Sequence, residues 1–183
     1  MKNFIAVIFF SLIFLILQTS VMADAMTSFF LFLNLPSCAQ IKINFLLIII
    51  VYIGLNRHML EGVLIASLLG YFMDLFSPGH FGLHSFLFVI IFLVIRTIST
   101  KIYFKAPLMN TFWTINVTLV SNIFLLLIYS TSDNFENFYL SFLQIIFPEA
   151  LLNGLFAPII FNFFKVLDLV TDKTMEDEKV ITW

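Results

Sequence analysis

Charge is what this chain most lacks. Asp, Glu, Lys and Arg make up only 11% of its 183 residues, against about a quarter in a soluble domain. That is too little polar surface to cover a water-facing globule. A net charge of −2 leaves no basic face to neutralise phosphates, which excludes nucleic acid as a partner. The single cysteine, Cys38, excludes an intramolecular disulfide and a cysteine-built metal cluster. Several signatures of catalysis are missing too. There is no Gly-x-Ser-x-Gly elbow, no Gly-rich phosphate loop, and no aspartate pair spaced on one helix to hold magnesium and a diphosphate headgroup. Hydrolase and lipid-transferase chemistry are therefore not expected, and no cofactor is implied. What the chain does have is 61% hydrophobic residues, 25 of its residues being phenylalanine. It reads as an all-α integral membrane protein.

A spanning helix needs roughly 20 apolar residues. Six runs are read as spans, at 4–22, 43–55, 60–76, 82–99, 107–130 and 149–167, forming one transmembrane domain over 1–167. The first run, preceded by Lys2, resembles a secretory signal. It is long for a signal core and more spans follow it, so it is read as an uncleaved helix. Residues 23–42 carry Asp24, Asn34, Pro36 and Lys42 and are expected to form a loop whose apolar centre touches the membrane interface. Pro148 is expected to divide the last apolar stretch into an interfacial piece at 136–147 and the final span. Residues 168–183 are acidic and aperiodic, and read as a disordered cytoplasmic tail. With the N-terminus inside, eight basic residues fall on the cytoplasmic side and only Lys42 outside, so the expected orientation is N-in, C-in.

Gly62, Ala66 and Gly70 recur every fourth residue and mark a stripe for close helix approach, which makes 60–76 the expected central helix. Gly82, Asn153, Gly154 and Pro158 are further packing candidates, and the Asn153 amide needs a partner within the bundle. Ionisable groups at membrane depth are the natural place to look for function. Asp74, His80, His84 and Glu149 fall at outer helix ends. One reading joins them in an outward polar pocket for a cation or a polar headgroup. The plainer reading has Asp74 bonded to the Pro78-Gly79 turn and Glu149 at a helix start, where the dipole favours a carboxylate. The spacing of the two histidines does not fit a zinc pair on one helix face. At the inner end, Arg57, His58 and Glu61 form a tight turn, read either as a solvated local ion pair or as a cytoplasmic docking point.

The run from Gly62 to Ser85 resembles the MreD family of rod shape-determining inner-membrane proteins. It carries the resemblance through a small-residue helix ending Gly70-x-x-x-Asp74, a Pro-Gly turn, and Gly82-Leu83-His84 opening the next helix. The stretch Glu149-Ala150-Leu151-Leu152-Asn153-Gly154-Leu155-Phe156-Ala157-Pro158 is similar to that family's last helix. Where the family usually has Pro-Asp at the start of its second helix, this chain has Ile43-Asn44. The resemblance implies a multi-pass component of the cell-elongation machinery in the bacterial cytoplasmic membrane. It also implies MreC as partner and, directly or through it, the MreB filament, a RodA-type polymerase and a class B penicillin-binding transpeptidase. The family's fold is similar to the substrate-binding subunits of energy-coupling-factor transporters. A vitamin- or metal-ion-importer subunit is therefore the alternative reading, with Asp74, His84 and Glu149 as its pocket. Against it, residues 4–22 offer few small residues for a coupling partner.

Overall fold

The computed structural model describes residues 2–32, 41–77, 81–99, 107–129 and 135–171, and within these the chain is helical. The first helix, α1 (Lys2–Ile16), widens into a π-helical turn (Leu17–Met22) and continues as α2 (Ala23–Phe32). The remaining helices are α3 (Phe45–Asn56), α4 (Met59–Phe76), α5 (Leu83–Ser99), α6 (Pro107–Tyr129) and α7 (Phe135–Val170). Four segments are long and apolar enough to cross a membrane: Asn3–Ser28, Met59–Phe76, Met109–Ile128 and Gln144–Val170. Phe45–Asn56 and Leu83–Ser99 are apolar but shorter.

The centre of the bundle is α3, not the 60–76 helix. Every residue from Phe45 to Gly54 is buried. A helix that is apolar on all sides has no face to give to solvent and is stable only when surrounded. Its neighbours are α1, α4, α5, α6 and α7. By contrast, α4 turns Leu60, Leu64, Leu68, Tyr71 and Leu75 outward. Its Gly62, Ala66 and Gly70 stripe packs on α5 instead. A Cβ at Gly70 would fall on the backbone of His84 and Ser85, and one at Gly62 on the Phe92 ring. Gly154 plays the same part between α7 and α6, facing Ile115 and Thr111.

Four sequence expectations need correction. Residues 23–32 are helical rather than loop, the first helix running on through the π turn into α2; residues 33–40 lie outside the described residues. Pro148 does not divide the last stretch, which is continuous over Phe135–Val170 with both Pro148 and Pro158 inside it. In a bundle, neighbouring groups can re-satisfy backbone that proline frees. Asp168 belongs to this helix and is buried, so the tail does not begin there; 172–183 lie outside the described residues. Finally, Gly82 makes no packing contact. Nothing lies within 4 Å of a Cβ built there, and what the position needs is its φ of +92°, which L side chains rarely adopt.

The close approach at Gly70 is against backbone, which cannot move aside as a side-chain tip can. Gly70→Ala is expected to lower stability by about 1–3 kcal/mol through overpacking, and Gly70→Leu by more. A Cβ at Gly54 would meet Ile95 Cγ2 at 2.9 Å and Ile95 Cβ at 3.0 Å, with the Phe92 carbonyl oxygen 3.5 Å away. Ile95 Cβ cannot swing aside, but the better helix propensity of alanine offsets part of the crowding, so Gly54→Ala should lower stability by less than Gly70→Ala. Thermal unfolding of the three variants in one detergent checks the order.

Candidate functional site

Two layers of polar side chains cross the otherwise apolar bundle, one at each end of α3. At the start of α3, Ile41, Ile43 and Phe45 are all buried, so the helix begins inside the protein. Its first N–H groups have no partner within the helix. Asn44 is the N-cap, and its side-chain oxygen accepts from Leu47 N at 3.1 Å. The Gln18 Oε1 accepts from Leu46 N at 3.2 Å, and the Asn153 Oδ1 accepts from Asn44 N at 3.0 Å. Both amides are themselves anchored. Gln18 Nε2 reaches Met73 Sδ at 3.4 Å, and Asn153 Nδ2 reaches Thr118 Oγ1 at 3.4 Å. One helix start thus ties together the π turn, α4, α6 and α7. Asn44 serves this start well, since asparagine caps a helix as well as aspartate does.

The second layer lies at the other end of α3. Arg57 follows the helix and is 1% exposed. Its Nη2 pairs with Asp168 Oδ1 near the end of α7. The same carboxylate accepts from Asn3 Nδ2 at 3.0 Å and from the Tyr52 hydroxyl. Asn3 Nδ2 also meets Thr171 Oγ1. Glu61, the expected local partner, stands at the limit of contact, 4.0 Å from Arg57 Nη1. The Arg57, His58 and Glu61 turn is therefore not a purely solvated ion pair: its arginine points inward, while His58 is exposed. Asn3 and Gln18 are fifteen residues apart, as are Asn153 and Asp168. At 1.5 Å per residue, that sets the two layers about 22 Å apart.

Among the described residues, the outer candidates have different bonding partners. Asp74 and His84 do meet, with Asp74 Oδ1 2.8 Å from His84 Nδ1. A carboxylate can only accept, so Nδ1 is the donor. The same carboxylate accepts from Gly82 N (3.1 Å), His84 N (2.9 Å) and Ser85 N (3.2 Å). Asp74 therefore caps the start of α5 from the end of α4; Pro78 and Gly79 lie outside the described residues. Ser85 Oγ completes the joint by donating to Ser67 O at 3.0 Å. His80 lies outside the described residues. Glu149, in α7, interacts with Asn122 and Lys42. Among the described residues, no three of His, Cys, Asp and Glu converge as metal ligands would.

Sequence reading did not find Gln18, Tyr52, Asp168, Asn3 or Thr118. For Gln18 and Tyr52 a signal was present, since each interrupts an otherwise apolar run and an amide or phenol there must find a partner in the bundle. Asp168 lies among the acidic residues of the C-terminal stretch, where composition hides it.

Compared with known proteins, residues 2–167 match the family model described as rod shape-determining protein MreD. No match is found among curated proteins or among solved structures.

Two outcomes follow from the layers. Arg57→Met or Asp168→Leu alone strands a buried charge and is expected to lower stability by about 3–5 kcal/mol, whereas combining them should recover most of that loss. Gln18→Leu leaves Leu46 N–H unpaired in apolar surroundings and should lower stability by about 1–3 kcal/mol. Unfolding of the purified variants in detergent reads both, and additivity of the Arg57 and Asp168 losses would contradict the first.

Proposed function

This chain belongs to the MreD family, and from that membership we propose that it is a non-enzymatic, multi-pass subunit of the cell-elongation complex in the bacterial cytoplasmic membrane. On this reading it supports rod shape and peptidoglycan synthesis by binding MreC and, directly or through it, MreB, a RodA-type polymerase and a class B penicillin-binding transpeptidase. The family match across 2–167 carries the proposal. The use of the polar groups supports it. Gln18, Asn44, Asn153, Arg57, Asp168 and Asp74 all bond helix to helix, so the chemistry they perform is that of a scaffold.

The short helices α3 and α5 join the four longer ones as six membrane segments, in the N-in, C-in arrangement that the basic residues favour. A protein of this kind acts through its faces, and α1, α4, α5, α6 and α7 all carry outward apolar residues open to partners. No observation favours the importer reading, since Asp74 and His84 are engaged with each other and Glu149 bonds to Asn122.

Depletion of the protein in its own host, with imaging of cell outline and labelled wall insertion, tests the proposal. Rounding with dispersed insertion, not rescued by nutrients, is the expected result. Normal rods with a growth defect cured by a vitamin or a metal ion would overturn it. Extraction in mild detergent should also recover an MreC homologue with the protein.

A further inference from the structure

The outer face of α7 carries an irregularity that lipid does not explain. Leu155, Ile159, Val166 and Leu169 are all exposed, and Asn162 is exposed among them. The five positions 155, 159, 162, 166 and 169 are spaced 4, 3, 4 and 3, which is the a/d seam of two heptads. At 1.5 Å per residue the seam is about 21 Å long. Asn162 lies eight residues, about 12 Å, inside the Val170 end of the span Gln144–Val170. That depth is within a hydrocarbon layer about 30 Å thick.

The Asn162 amide has no hydrogen-bond partner among the described residues. Asn116, on the outward side of α6, shows the alternative: its Nδ2 turns back to Phe112 O at 2.8 Å. An amide with both donors and its acceptor unpaired in hydrocarbon is costly, since lipid tails offer neither. Whatever covers this seam must be apolar over two heptads and must present both a donor and an acceptor at the depth of Asn162.

We propose that the α7 seam is the interface with a second copy of this chain, in which Asn162 pairs with Asn162. Copies of one chain in a membrane share an orientation, so a two-fold axis along the membrane normal lays α7 parallel to its symmetry mate. Such an axis brings each residue to its own counterpart at the same depth. A carboxamide donates and accepts, so two asparagines satisfy each other reciprocally. The flanking leucine, isoleucine and valine positions pack against themselves in the same register. A single asparagine in an apolar seam sets that register and favours one oligomeric state. Lys165 is exposed beside the seam, and its stem is long enough to carry the ammonium toward the aqueous end.

The test uses the full chain with Cys38→Ser, in vesicles of phosphatidylethanolamine and phosphatidylglycerol. Single cysteines at Leu155, Ile159, Val166 and Leu169 should form disulfide-linked dimers on oxidation, and controls at Val120 and Leu127 on α6 should not. By fluorescence energy transfer, Asn162→Leu should weaken dimerisation about three- to thirty-fold, the weight of an interhelical hydrogen bond in lipid, while Asn162→Gln, which keeps the amide, should stay close to the parent. Three results would each overturn the proposal: a monomer at every protein-to-lipid ratio, cross-linking at the α6 controls as readily as on the seam, or equal dimer affinity in all three proteins. Seam cysteines that cross-link in cells to a different membrane protein and never to their own copy would overturn it as well. A monomer would leave the role in cell shape untouched.

Discussion

The fold depends on one backbone problem: α3 starts inside the bundle. Its first N–H groups have no partner within the helix and lie among buried and part-buried surroundings, so they need side-chain acceptors. Gln18 supplies one from the π turn, Asn153 supplies another from α7, and Asn44 supplies the third from the cap itself. Because these bonds have directions and lengths, they set where α3 sits along the bundle. Apolar packing alone would leave it free to slide, since leucine, isoleucine and valine contacts are much alike from one turn to the next. The buried run from Phe45 to Gly54 provides adhesion, and the amides provide register.

The opposite end of α3 repeats the arrangement with charge. Arg57 and Asp168 come from positions 111 residues apart in the chain. They meet because the start of α1 and the ends of α3 and α7 lie at the same level, where Asn3 and Tyr52 complete the carboxylate's shell. A buried ion pair need not add net stability over apolar packing, but one partner without the other is costly. The pair therefore discriminates: arrangements of the helices that separate Arg57 from Asp168 are penalised. Asp74 does a similar service for the α4–α5 hairpin, taking three backbone N–H groups and the His84 ring from the helix it caps. In a lipid-embedded chain, polar residues act as the fasteners and apolar ones as the filler.

Much of this was legible in the residues, and the parts that were not share a cause. The small-residue stripe at Gly62, Ala66 and Gly70 showed a close helix contact, because only small side chains permit one. It did not show which helix is central, since a stripe reports one contact and burial reports all of them. Asp74 was visible as an unusual aspartate, yet its partners on α5 depended on how the turn folds back. Pro148 read as a breaker by local rules, but the surrounding bundle keeps the helix continuous. Gly82 looked like a packing residue beside its neighbours and turned out to serve backbone conformation. Local signals fail here where a neighbour distant in sequence decides the outcome.

Composition and hydropathy alone determined that this chain belongs in a membrane and that it is helical. Those conclusions rest on solvation, which is additive over residues and needs no knowledge of contacts. The short motifs were enough to suggest the family. Only the tertiary structure decided that α3 is the core, that Gln18 and Asn153 hold its start, and that Asp168 answers Arg57 rather than opening a tail. Hydrogen bonds and ion pairs act over a few ångströms and demand a particular partner. A one-dimensional string states which groups need partners, and the folded chain states which partners they take.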